Sequence, residues 1–233
     1  MLKKIIVTGG EGRFAKELKN TKSRYKFFFK NKKQLNILSI KSIRKNLKSL
    51  KPDGVLHLAG LSRPMSIHDK KINESIDLNI IGTSNIVKVC NESKIKLVYF
   101  STSYVYPGKK GNYDENDSLL PWNNYGWSKL GGESAVQMYK NSLIIRACMT
   151  EKPFTHKSAF SNVKSNFIYH EQFAKILVKV LKLKGVINIG GKSQTIYQFA
   201  KKNKKNVKKT KSRGELPLNM NMNLKKLNKL LKS

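Results

Sequence analysis

Apolar residues fall in short blocks at two alternating periods. Leu2 to Val7 is a β-branched run, Tyr25 to Phe29 a second, Val55 to Leu58 a third, Ile95 to Phe100 a fourth and Ser142 to Arg146 a fifth. Between them apolar positions recur at helical spacing, as at Ile40, Ile43, Leu47 and Leu50, which places helix over Ile40 to Leu50. A long helix is expected from Lys70 to Cys90, with Ile72, Ile76, Ile80, Ile86 and Val87 along it, and another around Tyr125, running through Leu130 to Tyr139. Beyond Arg146 the pattern weakens to a loop from Thr150 to Lys164, a short strand at Asn166 to Tyr169, helix over Glu171 to Leu183, strand Val186 to Ile189 and helix Thr195 to Lys201. Leucines at helical spacing close the chain over Leu224 to Leu231. Strands alternating with helices specify an α/β fold, a Rossmann-like doubly wound parallel sheet. At 233 residues the expectation is one dinucleotide-binding domain spanning 1–233, with residues 147–170 and 190–233 contributing a small C-terminal substrate-binding lobe.

Glycines at the strand ends add chemistry to that outline. The first strand runs directly into Thr8-Gly-Gly-Glu-Gly-Arg-Phe-Ala15 and then into helix-favouring residues. Gly9 permits a tight turn, Gly12 lets backbone amides approach a pyrophosphate, and the small Ala15 allows close helix-to-strand packing. The residue closing the second strand normally separates NAD from NADP, because an acid there grips the ribose 2′-hydroxyl. Here Lys30-Asn-Lys-Lys33 follows, without a carboxylate, so Lys30 is a candidate cofactor contact and NADP(H) is expected to bind at least as well as NAD(H). The third strand opens into Ala59-Gly60 and the loop Leu61-Ser-Arg-Pro-Met65, which makes Ser62 and Arg63 candidates for touching substrate. His57, inside that strand, reads as a packed histidine. The fourth strand ends in Ser101-Thr-Ser-Tyr-Val-Tyr-Pro-Gly108, hydroxyls at the strand end where an open α/β sheet holds its ligands. Tyr125-Gly-Trp-Ser-Lys129 sets a phenol and an ammonium on one helix face. A lysine beside a tyrosine favours the phenolate and is expected to lower the phenol's pKa, which makes Tyr125 a usable proton donor or acceptor.

The net charge of +33 raises nucleic acid as a partner. Only six of the 47 basic residues are arginine, and a lysine excess with abundant Asn and Ile reads as composition bias. Weak, salt-sensitive attraction of anions is expected, and no specific nucleic-acid partner. Cys90 and Cys148 are far apart and outside any Cys-x-x-Cys pair, so they read as reduced packing residues, with no metal site expected. No stretch approaches the ~20 apolar residues that span a bilayer, and a cytoplasmic protein with no membrane partner is expected.

Five motifs in order, TGGEGRFA at Thr8 to Ala15, HLAG at His57 to Gly60, LNIIGTSN at Leu78 to Asn85, STSYVYPG at Ser101 to Gly108 and YGWSK at Tyr125 to Lys129, make the chain resemble an extended short-chain dehydrogenase/reductase. This is the family of NAD-dependent epimerases, dehydratases and reductases of nucleotide sugars. FIYHEQFA at Phe167 to Ala174 and GVINIGG at Gly185 to Gly191 extend the similarity over nearly the whole chain, and Leu35 to Ile37 with Val105 to Gly108 is most similar to the dTDP-4-dehydrorhamnose reductase branch. The resemblance implies that Thr102 hydrogen-bonds the substrate oxygen, Tyr125 is the general acid or base, and Lys129 holds the nicotinamide ribose. It implies that Gly9, Gly12, Arg13 and Phe14 line the pyrophosphate, Asn36 and Ile37 the adenine, and Ala59, Gly60 and Leu61 the ribose and nicotinamide. Ser62, Tyr104 and Met149 would face the sugar. Ser103 and Tyr104 stand where dehydratases carry acids, so elimination chemistry lacks its acid and base. The implied function is a 4-keto-sugar reductase acting on a nucleotide sugar, with a 4-epimerase holding NAD tightly as one alternative and a non-catalytic dinucleotide sensor or scaffold as another. A homodimer through the Lys70 and Leu130 helices is the family habit.

Overall fold

The computed structural model describes residues 2–232. Six parallel strands form the central sheet: β1 (Lys4–Thr8), β2 (Lys26–Lys30), β3 (Gly54–His57), β4 (Lys96–Thr102), β5 (Ser142–Ala147) and β6 (Gly185–Ile189). Their spatial order is β6-β5-β4-β3-β1-β2, with every neighbouring pair parallel. The chain moves outward one way from β1 to β2 and then returns to lay β3 on the other side of β1. That reversal opens a crevice at the carboxyl ends of β1 and β3, where open α/β sheets bind ligands.

Because successive strand residues face opposite sides of a sheet, each strand feeds two cores. Ile5, Val7, Leu56, Val98, Phe100, Leu143 and Ile145 pack on one face with Phe14 and Leu18 of α1 (Arg13–Lys19) and Phe173 and Leu177 of α5 (His170–Val180). Ile6, Val55, Leu97, Tyr99 and Ile144 pack on the other with Ile43 and Leu47 of α2 (Ile40–Leu50) and Ile86 and Val89 of α3 (Gly82–Glu92). Strands covered on both faces must be apolar throughout, which is why they read as continuous runs in the sequence.

Helix α2 has the expected bounds; Ser39 caps it by accepting from the Ser42 amide. The expected helix from Lys70 to Cys90 is instead broken into Ile67–Lys70, Ile72–Ile76, a π-helical turn at Asp77–Ile81, and α3. Ile72 and Ile76 are exposed at 52% and 40%, so only the later half of that apolar stripe serves the core. The expected loop after Thr150 carries short strands, Ser158–Phe160 among them, which pairs parallel with Lys208–Thr210. The lysine run 201–211 lies mostly in solvent, although Val207 within it is buried. Cys90 and Cys148 are free and buried. Among the described residues no helix is long and apolar enough to cross a membrane, and no three His, Cys, Asp or Glu side chains cluster to hold a metal.

A buried polar chain crosses the apolar interior. Thr8 Oγ1 accepts from the Leu58 and Ala59 amides, both at 3.1 Å, and lies 2.8 Å from His57 Nδ1. On the other side of the ring, His57 Nε2 lies 3.1 Å from Thr83 Oγ1, whose hydroxyl donates to the Asn79 carbonyl at 2.8 Å. The two hydroxyl protons therefore fix the tautomer: Thr8 donates to Nδ1, and Nε2–H donates to Thr83. Burial takes the His57 pKa down to about 3, with Lys129 adding to the shift. Above pH 6.5 neither the folded nor the unfolded chain protonates this ring. As pH falls from 6.5 towards 3 only the unfolded chain takes the proton, so this group costs roughly 1.4 kcal/mol of stability per pH unit. Urea unfolding across pH 7 to 4 should therefore show a slope that His57→Gln makes shallower by about one proton; an unchanged slope would mean the ring is not held neutral.

Candidate active site

The glycine turn sits at the crevice. Gly9 has φ +66°, and a Cβ there would come within 2.9 Å of the Ala59 backbone, so the turn requires glycine and lies directly against the end of β3. A Cβ at Gly12 would meet only the Gly9 carbonyl, at 3.1 Å, which leaves the space above this residue open to a ligand. The Gly10 amide donates to the Lys30 carbonyl at 2.8 Å, bringing the end of β2 to the same turn. One carboxylate that the strand-end reading overlooked is also there: Glu11 accepts from Asn31 Nδ2 at 2.8 Å. The Phe14 ring turns away from the glycine turn into the core. It is buried, 5.2 Å from the Phe100 ring and 5.4 Å from Phe173, so this residue can offer a ligand only its backbone. Asn36 and Ile37 lie in the turn before α2. Asn36 Oδ1 accepts from the Leu38 amide, while Ile37 is a buried core residue whose carbonyl accepts from Asn85.

The candidate proton-transfer group lies at the end of β4. Thr102 accepts from the Tyr104 amide at 3.3 Å through its side chain, and its hydroxyl sits close enough to the Tyr125 phenol to favour the phenolate. Tyr125 comes from α4 (Asn124–Gln137), which Asn123 caps by accepting from the Gly126 amide at 2.8 Å. A Cβ on Gly126 would be 2.5 Å from the Tyr104 carbonyl; its absence lets α4 begin against the β4 turn and brings Tyr125 to Thr102. The Tyr104 ring meets Tyr125 edge-on at 5.8 Å and packs on Trp122 at 5.2 Å. Trp122 in turn lines an open cleft of about 450 Å³ with Asn162, Arg213, Leu216 and Leu218. Ser62 is exposed in the loop beyond β3. Met149 is half-buried and belongs to a two-residue ladder with Ile168–Tyr169.

Lys129 follows Tyr125 by one turn and is buried, its ammonium 4.2 Å from the centre of the Tyr99 ring. Burial takes its pKa down to about 7, with Glu133 pulling the other way. The expected lowering of the Tyr125 pKa by Lys129 is not what the site shows. Burial raises the phenol's pKa, opposed by the neighbouring Thr102 hydroxyl and by Arg63 and Arg13. Desolvation outweighs the neighbouring charges, and the group holds its proton through neutral pH.

Three supporting residues were not singled out in the sequence. Asn79, on the π-helical turn, accepts from the Leu61 amide at 2.7 Å and donates to the Leu61 carbonyl at 2.9 Å and to Ser128 Oγ at 2.8 Å. Ser128 donates back to the Tyr125 carbonyl, so one amide joins the β3 loop to the helix that carries the phenol. Its signal was its place within LNIIGTSN. Glu133, one turn beyond Lys129, pairs with Arg146 at 2.7 Å, both almost fully buried, and accepts from Ser101. Arg146 also donates to the Tyr106 phenol and the Glu115 carbonyl, tying β5 to the loop after β4. Nothing in the spacing of Glu133 and Arg146 pointed to their pairing.

The model of the RmlD substrate binding domain matches residues 3–150, more than half of the chain. The chain belongs to the RmlD substrate-binding domain family. The match covers the glycine turn, the β3 loop, Thr102, Tyr125 and Lys129. Among curated relatives of this RmlD-family chain, the methionine adenosyltransferase 2 subunit beta of Danio rerio is 30% identical over 146 residues, covering 58% of this chain and 43% of that protein. The spore coat polysaccharide biosynthesis protein SpsK of Bacillus subtilis is 31% identical over 147 residues, covering 61% and 52%. The aligned stretches thus span about half the length of these two relatives. Among solved structures, dTDP-4-dehydrorhamnose reductase of Bacillus anthracis in complex with NADP superposes with a TM-score of 0.86 over 98% of this chain and 91% of that one, at 22% identity. That likeness establishes the Rossmann-like fold.

If Asn79 joins the β3 loop to α4, Asn79→Ala should cost at least about 1–3 kcal/mol, because it strands the Leu61 backbone groups away from their partner. Urea unfolding measures this. A change within error would show that Leu61 is held by other contacts.

Proposed function

We propose that this RmlD-family chain is an NAD(P)-dependent nucleotide-sugar oxidoreductase, a 4-keto-sugar reductase of the dTDP-4-dehydrorhamnose reductase type. The observation that carries the reading is the Thr102 hydroxyl beside the Tyr125 phenol at the carboxyl edge of the sheet, set across the same crevice from a glycine turn whose Gly12 face is open. The turn fits a dinucleotide pyrophosphate: Gly9 and Gly12 give it backbone access, Arg13 is the adjoining cation, and the amide of Phe14 follows. Ala59, Gly60 and Leu61 would border the nicotinamide end and Lys129 would hold its ribose, while Lys30, Asn36 and Ile37 border the adenosine end. Segments 147–170 and 190–233 would hold the sugar nucleotide, and Ser62, Arg63, Tyr104 and Met149 would face the sugar.

A bound nicotinamide would supply hydride to the keto carbon. Thr102 then fixes the carbonyl oxygen, and Tyr125 delivers a proton to it as negative charge develops. The raised pKa of the phenol suits this direction, since a reductase needs a phenol at neutral pH whereas oxidation of an alcohol, the first step of an epimerase, needs the phenolate. The backbone after Thr102 offers Ser103 and Tyr104 in place of acids, so loss of water from the sugar has no base.

For cofactor choice, Lys30 and the exposed Lys32 and Lys33 flank the end of β2, opposed by the single carboxylate of Glu11. We place NADPH at least level with NADH. A homodimer through the Lys70 and Leu130 helices, the first of which leaves Ile72, Ile76 and Ile81 exposed, belongs to the same proposal. One observation favours a second reading: the Danio rerio relative is by name a subunit of a methionine adenosyltransferase, so a non-catalytic scaffold that binds dinucleotide and a protein partner is the rival.

Two measurements test these readings, and the second separates them. Gly12→Val should abolish dinucleotide binding, followed by calorimetry with NADPH and NADH; retained binding would remove the turn from the site. With NADPH and a panel of 4-keto nucleotide sugars, Tyr125→Phe should lose about 100-fold to 10,000-fold in turnover and keep its cofactor affinity. A wild-type protein that binds NADPH and reduces none of the panel favours the scaffold, and a dehydrated product would refute the reductase.

A further inference from the structure

Glu151 lies just beyond β5, and its carboxylate spans two arginines from different walls of the crevice. Its Oε1 is 3.0 Å from Arg13 Nη1 on the glycine turn, and its Oε2 is 2.9 Å from Arg63 Nη1 on the β3 loop. The carboxylate is mostly shielded, at 19% exposure, while Arg13 and Arg63 are at 49% and 29%. Burial works against its charge, yet its own backbone amide, Arg63 and Arg13 hold its pKa below the usual carboxylate range. His170 is kept neutral at physiological pH, burial taking it down to about 4, so the cluster is two cations and one anion.

Two guanidiniums aimed at one point from two oxygen-bearing directions make a seat for a phosphate as well as for a carboxylate, since both present paired oxygens to the arginine fork. Arg13 adjoins the open face of Gly12, so a pyrophosphate resting on that turn would reach the same guanidinium. It would then stand beside the Glu151 carboxylate, and like charges brought together in a partly shielded site repel strongly. We propose that Glu151 is an internal counter-anion occupying a phosphate seat between Arg13 and Arg63, which the pyrophosphate of a dinucleotide must displace to bind. The identity of that ligand rests on the dinucleotide reading above. By this account the carboxylate keeps the two arginines ordered in the free protein and lowers affinity for the ligand that replaces it.

The test is calorimetry on the whole chain with three probes: inorganic pyrophosphate, NADPH and thymidine diphosphate. Glu151→Gln keeps the side chain's size and removes its charge. It should bind pyrophosphate and NADPH at least about tenfold more tightly than the wild type, with thymidine diphosphate little changed. Equal or weaker pyrophosphate binding by the variant overturns the proposal, as does a gain confined to thymidine diphosphate, which would give the seat to the sugar nucleotide. If neither protein binds NADPH while the pyrophosphate gain persists, the counter-anion stands and the dinucleotide reading falls. Should Glu151→Gln fail to fold, Glu151→Asp, too short to bridge both guanidiniums, carries the same expectation for pyrophosphate.

Discussion

The neutral imidazole of His57 is the constraint on which the crevice depends. Ion pairing could not do its work: at the centre of the sheet, with apolar side chains on both faces, a charge would be costly, and a donor and an acceptor on one small ring join two hydroxyls without one. Through Thr8 the ring fixes the end of β1 against the Leu58 and Ala59 amides. Through Thr83 it fixes the Asn79 carbonyl, and the Asn79 side chain then holds Leu61 and Ser128. The glycine turn and the helix bearing Tyr125 thus share one buried set of hydrogen bonds, and the geometry across the crevice follows from it.

That chain of contacts shows what the sequence could and could not disclose. Periodicity sufficed for α2, where a solvent face and a core face alternate cleanly and Ser39 supplies the cap. It also located all six strands to within a residue or two, because strands buried on both sides leave unbroken apolar runs. It failed over Lys70 to Cys90, where Ile72, Ile76, Ile80 and Ile86 mimic a single amphipathic stripe. The competing demand there is Asn79: a π-helical turn re-aims this residue at Leu61, and π turns of this kind are frequent at functional sites. Glu151 was invisible for another reason. Its partner Arg63 is 88 residues away, and no local pattern marks a pair that only the sheet's winding brings together. The placement of Thr102, Tyr125 and Lys129 at one strand end was legible because motif order and strand-end position coincide, but their electrostatics were not, since spacing alone carries no information about burial.

Burial changes the chemistry assigned to the Tyr-x-x-x-Lys pair. On an exposed helix the lysine would simply favour the phenolate. Here desolvation raises the phenol and lowers the ammonium, and the two shifts run in the sense that leaves both groups closer to neutral. Glu133 resists the second shift, but it is shared with Arg146 and Ser101, so its charge is already largely spent. A buried pair of this kind contributes little net stability, although losing one partner leaves a bare charge that costs about 3–5 kcal/mol. Its effect is geometric: it holds α4 to β5 at the level of Lys129.

The overall charge reads differently once the arginines are located. Lysines supply most of the +33 and lie mainly on the surface, where a mobile ammonium is well hydrated and carries no fixed direction. The few arginines are distributed otherwise. Arg146 is buried against Glu133, Arg13 and Arg63 converge on Glu151, and Arg213 lines the cleft beside Trp122. A planar guanidinium keeps its donors in a rigid fork, so it is the cation to place where direction matters. Three of the six arginines, Arg13, Arg63 and Arg213, therefore stand on the glycine turn, the β3 loop and the cleft, and the lysines add a long-range positive field that draws anions towards them without selecting among anions. Selection then falls to the arginines, whose fixed forks give direction where the lysine surface gives only attraction.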